Sequence, residues 1–226
     1  MKLFQILTIA LIAITFAPQI SIAQSNRALE QLSDFNRINP LQNPEFDRAD
    51  KVLRRKVIDR KNKVVGRVQD IVINQNGTIA SIKTDFDRLR LGDDLYLNYR
   101  TMSISTRSNG YTLGMDADEI EDFYPQLLAN IETASGNGED TFSVEKLMGA
   151  PLYAEDGRKI GKIENILFGN NGGIARAVYV ELSHGIRRGK TIAIPLRHAN
   201  LTSKNGRPRG TIDNNFADAM LTVAGN

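Results

Sequence analysis

The chain of 226 residues has no cysteine and only two histidines, and each shortage removes a class of function. Without cysteine there are no disulfide staples, so stability must come from buried apolar side chains alone. Export without cysteine suits a bacterial periplasm better than an animal extracellular fluid. A zinc site wants three or four closely spaced His, Cys or carboxylate ligands. His184 and His198 stand apart across a turn and a strand and read as loop-packing residues. A Ser–His hydrolase would need a nucleophile beside its base, and no Gly-x-Ser-x-Gly elbow is present. We therefore expect a protein that is not an enzyme, with no catalytic residue, no metal and no cofactor.

Long apolar runs are also scarce. Leu3 to Phe16 is the one extended stretch, shorter than the roughly twenty residues a bilayer core requires. Lys2 precedes it, Pro18 breaks it, and Ser21 and Ala23 occupy the small-residue positions before Gln24. This is the pattern of a secretory signal peptide over residues 1–23, cut between Ala23 and Gln24. The expectation is a periplasmic protein with no transmembrane segment after cleavage. No cysteine follows the cut to carry a lipid.

What the chain does contain is a repeat. GRVQDIVINQNGTIA from Gly66 to Ala80 returns as GKIENILFGNNGGIA from Gly161 to Ala175, with six of fifteen positions identical and most others like for like. Such self-similarity is a statement about architecture. Val57, Ile58 and Val65 extend the match to Leu152, Tyr153 and Ile160, and after a two-residue shift Arg90–Tyr99 falls opposite Arg187–Leu196. The units are thus 48–131 and 143–226, preceded by a polar lead-in with a short helix at 24–47 and separated by a Gly-, Ser- and acid-rich linker at 132–142.

Within each unit the apolar runs read as strands. Asn76-Gly77 reads as a hairpin turn of type I′, with Glu155-Asp156-Gly157 and Asn170 to Gly173 as turns of the second copy. Gly66 and Gly161 fall in mid-strand, where glycine marks a bulge or sharp bend. Asp116, Asp118 and Glu119 suit a helix start, and Ile120, Phe123, Leu127, Leu128 and Ile131 follow at helical spacing, with Pro125 as a kink or second start. Helix capping also accounts for Asp116 to Asp122 more simply than a calcium loop, which would need its own Gly and terminal Glu. Asp213 to Val223 closes the second unit with Phe216, Ala219, Met220 and Val223 as its apolar stripe.

The second unit resembles the PRC-barrel domain. It carries Gly149 in the opening, Asp156-Gly157 in the turn, the core Gly161-Lys162-Ile163-Glu164-Asn165 and the late strand Ile194-Pro195-Leu196. The first unit departs from that pattern at Arg54 and Arg55, Asn62 and Asn98, and joins it through the repeat. The resemblance implies a mainly β protein, two tandem small β-barrels each followed by a short helical segment. It also implies an assembly module, since relatives include the cytoplasmic domain of the photosynthetic reaction centre H subunit and the C-terminal domain of a ribosome maturation factor. It brings no catalytic residues.

Charge is modest, +3 overall, and uneven. Residues 143–226 hold twelve Lys and Arg against seven Asp and Glu, whereas 48–131 hold fourteen against twelve. Basic clusters fall at Arg54–Lys56, Arg60–Lys63, Arg187–Lys190, and Lys204 with Arg207 and Arg209. Arg187, Arg188 and Lys190 are the candidate anion contact, because guanidinium forks in a turn can hold phosphate or carboxylate. The expected partner is another envelope protein, with an anionic envelope component as the alternative and no nucleic acid.

Overall fold

The computed structural model describes residues 17–86, 89, 94–129, 140–183 and 188–225. The first sheet contains β2 (Lys56–Ile58), β3 (Val64–Asn74), β4 (Ile79–Asp85), β5 (Leu95–Asn98), β6 (Ser105–Arg107) and β7 (Gly110–Thr112), in the spatial order β5-β4-β3-β2-β7-β6. The second repeats it with β9 (Pro151–Ala154), β10 (Lys159–Gly169), β11 (Ile174–Leu182), β12 (Thr191–Pro195), β13 (Asn200–Lys204) and β14 (Arg207–Ile212), in the order β12-β11-β10-β9-β14-β13. Pairing is antiparallel except where β7 and β14 return alongside β2 and β9. Each sheet has an apolar face turned to the core, no ladder joins its end strands among the described residues, and the protein is mainly β as expected.

Each sheet has a seventh strand, and it comes from the other unit. The opening segment of unit one, β1 (Asp47–Arg48) with the helix Ala49–Val52, pairs with β10 of the second sheet. The opening segment of unit two, β8 (Thr141–Ser143) with the helix Val144–Leu147, pairs with β3 of the first. The exchange is reciprocal to the residue: Arg48 faces Leu167 as Ser143 faces Val72, and Asp47 faces Phe168 as Phe142 faces Ile73. Ala49, Val52, Val144 and Leu147 are fully buried by it. The sequence boundaries at 48 and 143 therefore mark the repeats and not the sheets, and one apolar core runs through both units. Of the linker, 141 and 142 lie in β8 and 132–139 fall outside the described residues.

A bulge in each long strand anchors the exchanged segment. Register slips between Val68 and Asp70 on β3 and between Ile163 and Asn165 on β10 turn a polar side chain inward. The Ile71 and Glu145 N–H groups both donate to Asp70 Oδ1, at 2.8 and 2.9 Å. The Ile166 and Ala49 N–H groups donate to Asn165 Oδ1, both at 2.9 Å. An unmet buried amide costs about 1–3 kcal/mol, so either residue changed to Ala strands two donors and loses about 2–6 kcal/mol. Asp70 differs in being titratable, and burial pushes its carboxyl above the usual range against the hydrogen bonds from Ser143, Glu145 and Ile71, with Glu145 adding repulsion. A raised folded value means the native state holds the proton more tightly, so this contribution falls as pH rises from the unfolded value through the folded one. Asp70→Asn, which copies Asn165, is expected to stabilise the protein at pH 7 and, in urea titrations, to remove the fall in stability that sets in as pH rises above the ordinary carboxylate range. A variant less stable than wild type at pH 7 would contradict this.

The hairpin tips meet between the units. Asn76 keeps a negative φ and only Gly77 is left-handed (φ 84°), so the first tip is a three-residue turn and not the expected type I′. The Asn76 carboxamide accepts from both the backbone and the hydroxyl of Thr78, which holds it there. The second tip has Asn171 and Gly172 both left-handed and one residue more. Ile79 lies opposite Ile73 and Ala175 opposite Phe168, so beyond the tip the ungapped repeat slips by one in space, and Ile79 is equivalent to Ala175. The tips pair through a Thr78–Ile174 bridge, with the Ala175 N–H on the Gly77 carbonyl at 2.9 Å.

The lead-in forms one helix, Ala17–Arg37, longer than the short helix expected and running through the proposed cleavage point. Ala28 and Leu32 are buried, and the helix packs on the helix Asn214–Val223 and on β12. Asn36 then acts as a substitute strand, its carboxamide donating to the Ala193 carbonyl (2.8 Å) and accepting from the Ala193 N–H (3.0 Å) on the edge of β12. Such side-chain pairing protects an otherwise open edge. Phe35, Leu41 and Phe46 cover Leu167, Ala177 and Ala193 on the outer face of the second sheet. Among the described residues no helix is long and apolar enough to cross a membrane.

Candidate functional site

The acidic helix start is structural. Asp116 and Glu119 form a reciprocal cap, Asp116 accepting from the Glu119 N–H (3.2 Å) and Glu119 from the Asp116 N–H (2.9 Å). Lys61 and Arg60 both reach Asp116 at 3.0 Å, and Arg60 also reaches Glu119. The hydrogen bond from Lys61 leads the causes that hold the Asp116 carboxyl down to about 2. The helix Ala117–Ala129 continues through Pro125 without a new start. Ile120 is buried, but Phe123, which the apolar spacing placed on the core face, is 46% exposed. Ile131 lies outside the described residues.

Three further cations are similarly engaged. Arg55 pairs with Asp47 at 2.8 Å and donates to the Asn171 carbonyl, bridging its own unit to the exchanged strand and the opposite tip. Buried Tyr111 joins it there, its hydroxyl donating to the Gly172 carbonyl at 2.7 Å, and burial raises the phenol above its ordinary value. Arg158 is held between Asp156 and Asp218, and Lys162 between Glu164 and Glu181. His198 stacks on Phe216 with ring centroids 4.1 Å apart, and desolvation lowers its pKa. His184 lies outside the described residues.

The candidate anion turn divides. Arg187 lies outside the described residues, Arg188 is exposed beside left-handed Gly189, and the Lys190 ammonium donates to the Ala224 carbonyl at 2.8 Å. A cation at that position complements the C-terminal end of the helix Asn214–Val223. The structure brings a different set together. On the antiparallel ribbon β13–β14, Lys204 faces Arg207 and Thr202 faces Arg209. Leu201 and Gly210 point inward, so these four share the outer face, and Arg209 Nε donates to Thr202 Oγ1 at 3.2 Å. The signal for this set was present in the sequence as the Lys204, Arg207 and Arg209 cluster. Its coplanarity needed the register.

No group of three or more metal-ligating side chains gathers among the described residues. The geometry defines a duplicated β module whose polar side chains chiefly cap, clamp and brace it. The chain belongs to the PRC-barrel domain family, which matches residues 44–113 and 139–214 and so includes both exchanged segments. No curated protein matches it.

Proposed function

We propose that this protein is a non-enzymatic adaptor of the bacterial envelope, exported by residues 1–23 and acting in the periplasm by binding another protein. The observation that carries the reading is where the reactive side chains are placed. Asp116, Glu119, Arg60, Lys61, Arg158 and Lys162 brace turns and strands, and Asp70 and Asn165 hold the exchange, which makes a rigid scaffold with its specificity on strand edges and helix faces. Phe123 is the best-placed contact, a large exposed apolar side chain on a helix lying against β5, the end strand of the first sheet. Cleavage before Gln24 keeps Ala28, Leu32 and Asn36 in the mature chain, so the second sheet retains its cover.

The test is in-cell crosslinking from a photoreactive residue at position 122, with mass spectrometry of adducts from the periplasmic fraction. The adaptor reading expects one reproducible protein adduct that falls at least tenfold in Phe123→Asp. Adducts that do not change in that variant, or a protein recovered only from the cytoplasm, would sink it.

A further inference from the structure

Thirty consecutive residues, Ser183 to Ile212, contain no Asp or Glu and seven Lys and Arg. They supply β12 at one end of the second sheet and the ribbon β13–β14 at the other. The three cations of the ribbon are exposed, and among the described residues Lys204, Arg207 and Arg209 have no carboxylate within ion-pair distance. Cross-strand neighbours stand about 5 Å apart and alternate residues about 7 Å apart, so three positive charges occupy a patch little wider than a lipid headgroup pair. Lys159, also exposed, continues the same face two strands away, since β10 places it opposite Tyr153 and β9 places Tyr153 opposite Thr211. Beside the start of β14 the helix Val144–Leu147 adds one charge of each sign, Glu145 and Lys146. The nearest acidic run, Glu155, Asp156 and Asp213, lies at the opposite end of β14.

Like charges held this close on a rigid ribbon repel one another, and an occupant of opposite sign relieves that repulsion. The ribbon presents Thr202, Lys204, Arg207 and Arg209 side by side on its outer face. An outward-facing row of cations complements a surface of anions better than it complements a single small ion, which needs donors converging from several directions. We propose that the outer face of β13–β14, with Lys159 beside it, docks on an anionic phospholipid surface through Lys204, Arg207 and Arg209. The inference is independent of the adaptor reading, whose contact lies on the first unit, and together they place a lipid-facing side on one sheet and a partner-facing side on the other.

The full chain is mixed with vesicles of phosphatidylcholine containing 30% phosphatidylglycerol, in parallel with pure phosphatidylcholine vesicles, and bound protein is sedimented. Binding to the anionic vesicles is expected, with loss on raising salt from 50 to 300 mM as the screening length shrinks. Lys204→Glu/Arg207→Glu/Arg209→Glu is expected to weaken it by at least about a hundredfold, each basic residue lost near an anionic leaflet being worth roughly a fivefold factor and each added carboxylate being repelled in addition. Lys56→Glu/Lys63→Glu/Arg100→Glu, an equal change in net charge on the first unit, should bind within about threefold of wild type, and circular dichroism checks that both variants fold. Equal binding to neutral vesicles would assign the effect to the apolar N-terminus and overturn the proposal. So would equal losses in the two triple variants, or competition by 20 mM inorganic phosphate at constant ionic strength, which would mean a small-anion site. Absence of binding overturns it while leaving the crosslinking result untouched.

Discussion

Residues 140–226 expressed alone are expected not to fold, although they contain a complete copy of the repeat. Their sheet would lack β1 and the helix Ala49–Val52, which bury Ala49 and Val52 and satisfy Asn165. Their own opening segment would have nothing to bury Phe142, Val144 and Leu147, which in the intact chain pack on β3. Three large buried apolar side chains are thus exposed at once, together with the surface of β10 that the helix Ala49–Val52 covers. At about 1.5–3 kcal/mol for each of the larger ones, the loss is comparable to the whole stability of a small domain, about 5–15 kcal/mol. Far-UV circular dichroism and amide dispersion in NMR are the measurements. Adding the fragment 17–130 should restore both signals, because each piece carries what the other lacks. A cooperatively folded 140–226 fragment would mean that the exchanged segment can turn back onto its own sheet.

Gly77→Ala is expected to cost about 3–5 kcal/mol, a range that single changes reach only through a definite steric or backbone conflict. Two conflicts coincide at this tip. A left-handed conformation costs a residue with a Cβ about 1–2 kcal/mol, and the new Cβ would stand 2.1 Å from the Ala175 carbonyl oxygen and 2.9 Å from Leu196 Cδ2. Neither neighbour has room to yield, since the Ala175 N–H is bonded to the Gly77 carbonyl and Leu196 is buried. Gly157→Ala is the matched control, equally left-handed (φ 88°) with nothing within 4 Å, and should lose only the backbone part. Urea midpoints at unchanged slope give the comparison. Equal losses at the two positions would show that the tip-to-tip contact carries no steric constraint.

Much of this architecture was legible before the structure. The repeat predicted two equivalent sheets, and the glycines in mid-strand stand where the neighbouring strand comes too close for a side chain, with a Cβ at Gly66 or Gly161 falling 2.2 Å from a carbonyl oxygen. Asp116 caps its helix as its position suggested, and Asp213 does the same for the helix that closes the second unit. The exchange was not legible. Periodicity says that a segment is a strand but not which sheet receives it, and strands of two or three residues such as β1 and β8 are too short to show a period. The one-residue slip after the tip was hidden because Ile79 and Ile174 match by identity while Ile79 and Ala175 match in space. Phe123 misled for a related reason: helical spacing marks an apolar stripe without saying how wide the surface beneath it is. Arg187 to Lys190 drew attention as a turn of the more basic unit, whereas the Lys204, Arg207 and Arg209 cluster, also visible in the sequence, is placed on one face only by strand pairing.

The reciprocal exchange also bears on how such a chain could arise. Each unit of about eighty residues completes itself only with the opening segment of the other, and that relation has the symmetry of a two-fold homodimer. Two separate copies of a single unit could make the same strand pairs, Arg48 to Leu167 and Ser143 to Val72 becoming one contact made twice. Joining the copies in one chain replaces a concentration-dependent association by an intramolecular one, with an effective concentration in the millimolar range for a short connection. Once joined, the halves are released from identity. Asp70 can differ from Asn165, one tip can gain a residue, and the cations can collect on one side alone, none of which a homodimer of identical subunits permits.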